Sequence, residues 1–189
     1  HYGGPVEGDI LVTCATIVQS WHSLITVPMC GITEGAQPAV SFNYGAGNAP
    51  KFRHAIYCIA ALSLVYCALM TLASHTVSGL FAGIFSRDEE IRARSVEYIK
   101  VFTAMIIPLA VQYTIVDELT ALGKVRASLF CSLFRKALFL ACIFVIPVLA
   151  PIQFAFLCEP IADGVGTVVS CCIFTYVFPK ALRECRTIE

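Results

Sequence analysis

Charge is what this sequence has least of. Lys, Arg, Asp and Glu make up 14% of its 189 residues, where a soluble domain carries about 25%. That is too little to cover the surface of an ordinary soluble enzyme. A basic excess is missing as well, since 13 Lys and Arg stand against 13 Asp and Glu. The electrostatic footprint of a nucleic-acid binder is therefore absent, and no nucleic-acid partner is expected. Disorder needs low hydrophobicity and high net charge. This chain is 58% hydrophobic with no formal net charge.

Motifs of soluble catalysis are also lacking. Gly45-Ala46-Gly47-Asn48 has no following Gly-Lys-Ser/Thr to make a phosphate-binding loop, so no ATP use is read here. Neither H-E-x-x-H nor G-x-S-x-G occurs, and neither an enzyme nor a cofactor is expected. Of the ten cysteines, none forms a C-x-x-C pair. Eight lie in apolar runs, where a free cysteine behaves as a small hydrophobe, and no metal site is expected. His1 opens the chain without the basic and apolar regions of a signal peptide. We read the chain as a piece of a longer one.

Long apolar runs are what the sequence does have. A membrane-spanning helix needs about 20 mostly apolar residues. Five segments qualify, over roughly residues 10–32, 55–78, 98–122, 127–151 and 152–178. The fold class is an all-α, polytopic transmembrane helix bundle. The loops between spans alternate between two sides. One side holds Lys51, Arg53, Lys124, Arg126, Arg135, Lys136, Lys180, Arg183 and Arg186. The other holds Arg87, Arg92, Arg94 and Lys100, interleaved with acids. The positive-inside rule puts the first side in the cytoplasm, with tail 179–189 inside and His1 outside. Ser86 with Glu89 three residues on reads as a capping box opening the third span. Gly123 stands where that span should stop. Pro28, Pro108, Pro147 and Pro160 fall inside helices, which membrane helices tolerate.

An ionisable group within a span costs about 2.5–3.5 kcal/mol on insertion scales, so it faces protein or a watery cavity. Glu159 and Asp163, four apart, share one helix face, and one of them is a candidate proton carrier. Glu34 and Gln37 sit at the cytoplasmic end of the first span and are candidates for the inner mouth of a cavity. Asp117 and Glu118 point about 100° apart, so only one faces a lumen, and Lys124, Arg126 or Arg135 is the expected partner of the other. Gln19, His22 and Thr26 form a polar stripe on the first helix. Gln112 and Tyr113 lie mid-span. Gln19 and Gln112 are read as cavity-lining, for an organic cation substrate.

The stretch from Gly31 to Asn48 reads Gly31-x-x-x-Gly35-x-x-Pro38-x-x-Ser41-x-x-x-Gly45-Ala46-Gly47-Asn48. It resembles the cytoplasmic motif of the multidrug and toxic compound extrusion (MATE) transporters. Small Gly31 and Gly35 are expected to let backbones approach closely. Pro38 and the Gly45–Gly47 run are expected to break the helix and turn it along the membrane surface. Further resemblances follow in order: Phe85-Ser86-Arg87-Asp88-Glu89-Glu90, Leu119-Thr120-Ala121-Leu122-Gly123-Lys124, Leu133-Phe134-Arg135 and Pro160-Ile161-Ala162-Asp163. The ordered set covers nearly the whole chain.

The resemblance implies helices eight to twelve of a twelve-helix, two-lobe transporter: an incomplete C-terminal lobe, residues 1–189. Helix seven and the N-terminal lobe of the same chain are its missing partners. The activity implied is antiport in the cytoplasmic membrane, with Na+ or H+ as coupling ion and amphipathic, often cationic compounds exported. Some members place an acid in the middle of helix ten. Here Leu109-Ala110-Val111-Gln112-Tyr113 has none. Two alternatives stand beside this reading. A lipid-linked saccharide flippase of the same superfamily would line its cavity with cations, whereas Arg and Lys here sit at cytoplasmic ends. A non-transporting membrane structural protein would have no use for intramembrane acids.

Overall fold

The computed structural model describes residues 5–186. Among the described residues seven helices follow one another: α1 (Pro5–Gly45), α2 (Ala49–Thr76), α3 (Ser78–Phe85), α4 (Glu89–Phe102), α5 (Ile106–Ala121), α6 (Val125–Leu149) and α7 (Cys158–Arg186). A 3-10 turn, Ile152–Leu157, links the last two. No strand occurs among the described residues. The all-helical class expected from the apolar runs holds: four helices are long and apolar enough to cross a membrane, or five if the bent pair α4–α5 is one span.

Helix α5 is the hub. It packs against α1, α2, α6 and α7. Its buried residues include Ile106, Leu109, Ala110, Gln112, Ile115 and Leu119. One apolar cluster joins Ile17, Trp21, Ile25 and Met29 of α1 to Ile99, Phe102, Ile106 and Leu109. Within it, the Trp21 indole N–H donates to Ser74 Oγ at 2.8 Å, tying α1 to α2. A second cluster gathers Val40, Phe52, Ile56, Leu122 and Ala181. Near it, Glu184 accepts from the Tyr44 hydroxyl at 2.7 Å and from Lys124 at 2.9 Å. The outward faces stay apolar: Leu62, Val65 and Leu69 on α2 and Phe144, Val148 and Leu149 on α6 are exposed.

Several expected boundaries move, each for a physical reason. Helix α1 runs straight through Pro38 to Gly45. Its 41 residues make it about 60 Å long, twice a hydrocarbon core. The break comes instead at Gly47, whose φ of 72° is cheap only for glycine. Asn48 then caps α2, accepting from the Lys51 N–H at 3.1 Å. The expected close approach at Gly31 and Gly35 is not made among the described residues. Nothing lies within 4 Å of a Cβ built on either, and the same is true of Gly45.

The third expected span is broken, with α4 and α5 meeting at 48°. Pro108, in the first turn of α5, explains it, because its ring excludes a helical carbonyl four residues back at Ala104. Pro160 likewise sits in the first turn of α7, where the missing N–H costs nothing. The cap of α4 is Asp88, which accepts from the Glu90 N–H at 2.8 Å, and not Ser86. Helix α7 continues to Arg186, so most of the expected tail 179–189 is helical. The placement of His1 lies outside the described residues. Gly123, with φ of 70°, does stop α5 as expected.

Candidate functional site

Arg135 stands ten residues past Val125, about 15 Å along a largely apolar helix. A guanidinium there must find partners. The next helix supplies them. Glu159 and Asp163 lie one turn apart on α7, and Arg135 Nη1 donates to both, at 3.1 Å to Glu159 Oε1 and 2.8 Å to Asp163 Oδ1. The three side chains are 8%, 8% and 2% exposed. One cation faces two acids, which leaves a formal surplus of one negative charge. In water such pairs matter little, but buried here each charge depends on the others.

Two further helices close on this centre. From α5, the Tyr113 ring lies beside the guanidinium, 5.6 Å from its carbon to the ring centroid. From α1 comes His22, buried and set edge-on against Phe102 at 5.1 Å. One ring nitrogen of His22 and one oxygen from each acid lie within 4.8 Å of one another. His22 Nε2 has no hydrogen-bond partner. Thr167 locks α7 to α5, its hydroxyl donating to Pro108 O at 2.9 Å and Asp163 O at 2.7 Å. Gly166 lets the helices meet. A Cβ there would fall 2.9 and 3.0 Å from the Gln112 amide atoms and 3.1 Å from Arg135 Cγ. A cleft of about 220 Å³, lined by Gln112, Tyr113, Val116, Ser132, Arg135 and Lys136, opens beside the centre.

A second polar group forms farther along α1 and α5. Gln37 Nε2 donates to Asp117 Oδ1 at 3.0 Å, and Ser41 Oγ donates to Ala121 O at 3.0 Å. Ser41 of the glycine-proline motif is thus a bridge from α1 to the end of α5. Glu118 points elsewhere, as the 100° offset requires, and is buried with its Oε2 unpartnered.

Of the residues singled out from sequence, Glu159 and Asp163 come together, with Gln112 close by across Gly166. Gln37 and Asp117 pair at a separate place. Gln19 and Glu34 are exposed and join neither group. Two of the three expected partners of Asp117 and Glu118 are engaged otherwise, Lys124 with Glu184 and Arg135 with the α7 acids. Arg135 itself is misplaced by a count of loop cations, since it is an interior residue and not an interfacial anchor. His22 and Tyr113 belong to the centre too. The signal for Arg135 was in the sequence: a lone arginine in one apolar run and two acids one turn apart in the next.

These features define a class: a multi-pass helical membrane protein with a charged centre inside its bundle. The family described as MatE matches residues 3–146, more than half of the chain. The chain belongs to the MatE family, and so to a superfamily of membrane transporters. No curated protein and no solved structure matches it. Arg135 lies inside the matched stretch, whereas Glu159 and Asp163 lie beyond its end.

Proposed function

We propose that this chain forms most of the C-terminal lobe of a secondary active antiporter. It exports amphipathic or cationic drugs across the cytoplasmic membrane in exchange for a cation, H+ or Na+. Helix seven and an N-terminal lobe of the same chain complete it, with the C-terminus in the cytoplasm. The observation that carries this reading is the Arg135–Glu159–Asp163 centre, buried in the bundle with one more acid than base.

A surplus carboxylate is a cation-coupling device. A proton taken up by Glu159 or Asp163 brings the centre to formal neutrality without displacing Arg135. A hard metal cation prefers a set of oxygen ligands. Here Arg135 already engages one oxygen of each acid, and the third group is an imidazole. We therefore favour H+. Loading and unloading of the centre would bias the tilt of α7 against α5 and α6, and so the choice between inward- and outward-facing states. The cleft beside Arg135 offers water a path to it. A saccharide-phosphate flippase is less well supported, because the buried Arg135 is committed to two acids and not free to meet phosphate.

The test uses the full-length protein in liposomes, with dye efflux driven by a proton gradient or a sodium gradient. Asp163→Asn and Glu159→Gln should each cut gradient-driven efflux at least tenfold while dye binding persists. Efflux and ion dependence unchanged in both variants would overturn the reading.

A further inference from the structure

Gly123 ends α5 in a left-handed turn, with φ of 70°, and the chain re-enters the bundle at once as α6. That turn opens a cleft of about 470 Å³, lined by Gly123, Lys124, Val125, Arg126 and Ala127 and, from α7, by Val177. Helix α6 is long and apolar enough to cross a membrane, so its first residues mark the boundary between water and lipid. Val125, which lines the cleft, is followed at four-residue intervals by Leu129 and Leu133, and all three are exposed. Residues so spaced share one face of a helix. They make an apolar stripe that runs about 12 Å along α6 away from the cleft.

We propose that this cleft binds an anionic glycerophospholipid, its phosphate held by Arg126 and one acyl chain laid along Val125, Leu129 and Leu133. Three observations select that chemistry. Arg126 is exposed, and no ion pair or side-chain hydrogen bond reaches it among the described residues. Lys124 beside it already holds Glu184 at 2.9 Å, so Arg126 is the cation with donors to spare, and a guanidinium presents two parallel N–H groups to a phosphate. No acid lines the cleft among the described residues, and Lys180, one turn past Val177 on α7, adds to its positive surroundings. The stripe decides between a free anion and a lipid, because a free anion uses the cation alone and a lipid uses both. Its length is close to half of a hydrocarbon core of about 30 Å, the depth of one leaflet. Basic pockets between membrane helices at the span ends hold anionic head groups for the same reason. The volume suffices, since small-molecule sites run from about 300 Å³ upward. The site does not depend on the export reading, because lipid occupancy is measured without transport.

The test is photolabelling of the full-length protein in phosphatidylcholine vesicles. Each sample carries the same small mole fraction of a diazirine lipid, either phosphatidylglycerol or phosphatidylcholine, with the diazirine near the glycerol end of an acyl chain. Peptides covering residues 124–133 should take at least fivefold more of the phosphatidylglycerol probe. Peptides around residues 80–87, at the opposite end of the bundle, should take the two probes within twofold of each other. Arg126→Gln, a change at an exposed side chain, should bring the 124–133 ratio below twofold. A millimolar excess of glycerol phosphate, set against chloride of matched ionic strength, should leave that ratio unchanged. Equal labelling of residues 124–133 by the two probes would overturn the proposal. So would an equal preference at both ends of the bundle, which is surface charge alone, or a ratio that survives Arg126→Gln. Loss of the preference to glycerol phosphate would assign the cleft to a free phosphate and overturn the lipid. Absence of label from either probe would mean that a second copy or the rest of the chain covers the cleft, and would overturn it as well.

Discussion

Removing the guanidinium at the centre should unfold the lobe more readily than any other single change in α6. Consider Arg135→Met, which keeps the length of the side chain and most of its apolar contacts. Its guanidinium lies 2.8 Å from Asp163 and 3.1 Å from Glu159. Each such contact is worth about 6 kcal/mol of raw attraction at an effective dielectric of 20. Most of that is offset by desolvation, and breaking a buried pair by deleting one partner costs a net 3–5 kcal/mol or so. For a unit of this size that corresponds to a fall in melting temperature on the order of 10 °C. The ten cysteines supply the assay, because several are buried and those react with a thiol-specific fluorogenic dye only on unfolding. The double variant Arg135→Met/Asp163→Asn should recover at least half of the loss, since it removes one of the two stranded carboxylates. That recovery is the coupling between neighbours that a double-mutant cycle measures. If the single variant melts within 2 °C or so of the parent, the centre contributes nothing net and the reasoning fails.

Three glycine substitutions separate contact from conformation. Gly166→Ala should destabilise by about 1–3 kcal/mol, because the new methyl would press on Gln112 and Arg135 where Cβ contacts fall at 2.9–3.1 Å. Gly164→Ala on the same helix should be near neutral, its nearest neighbour being the flexible Met105 Sδ at 3.8 Å. Equal melting temperatures for the two would refute the packing account. Gly123→Ala should cost about 1–2 kcal/mol for a different reason, the strain of a φ of 70°, and the same dye assay should register it as a smaller drop than Gly166→Ala's upper range.

The helical class was legible because 20-residue apolar runs have few other uses. Boundaries were less so, and the failures share a cause. Pro38, Pro108 and Pro160 look alike in sequence, yet one is accommodated inside a long helix and two sit in first turns. Which applies depends on whether the carbonyl four residues back already lies outside the helix, as it does for a first-turn proline. The Gly31–Gly35 pair suggested a contact face, but a small residue only permits close packing and does not compel it. The α1 stripe divides after Gln19. Three residues separate it from His22, and that offset is enough to put one outside and the other in the core.

The site shows why counting charges by loop misplaces Arg135. The rule assumes that a cation near a span end is solvated. It cannot see a partner 24 to 28 residues away on another helix. The acids are the better guide, because two carboxylates one turn apart on a buried face have no reason to persist unpaired. Arg135 is the buried cation that answers them. Taking it out of the loop count leaves eight cations against four, so the inferred orientation does not change. What changes is the meaning of α6 and α7. Neither helix can bury its charge without the other, so the two act as one unit across the Pro151 turn. The Gly166 contact and the Thr167–Pro108 bond clamp that unit to α5. A change in the charge state of the centre is therefore felt by three helices at once, as the proposed coupling role requires.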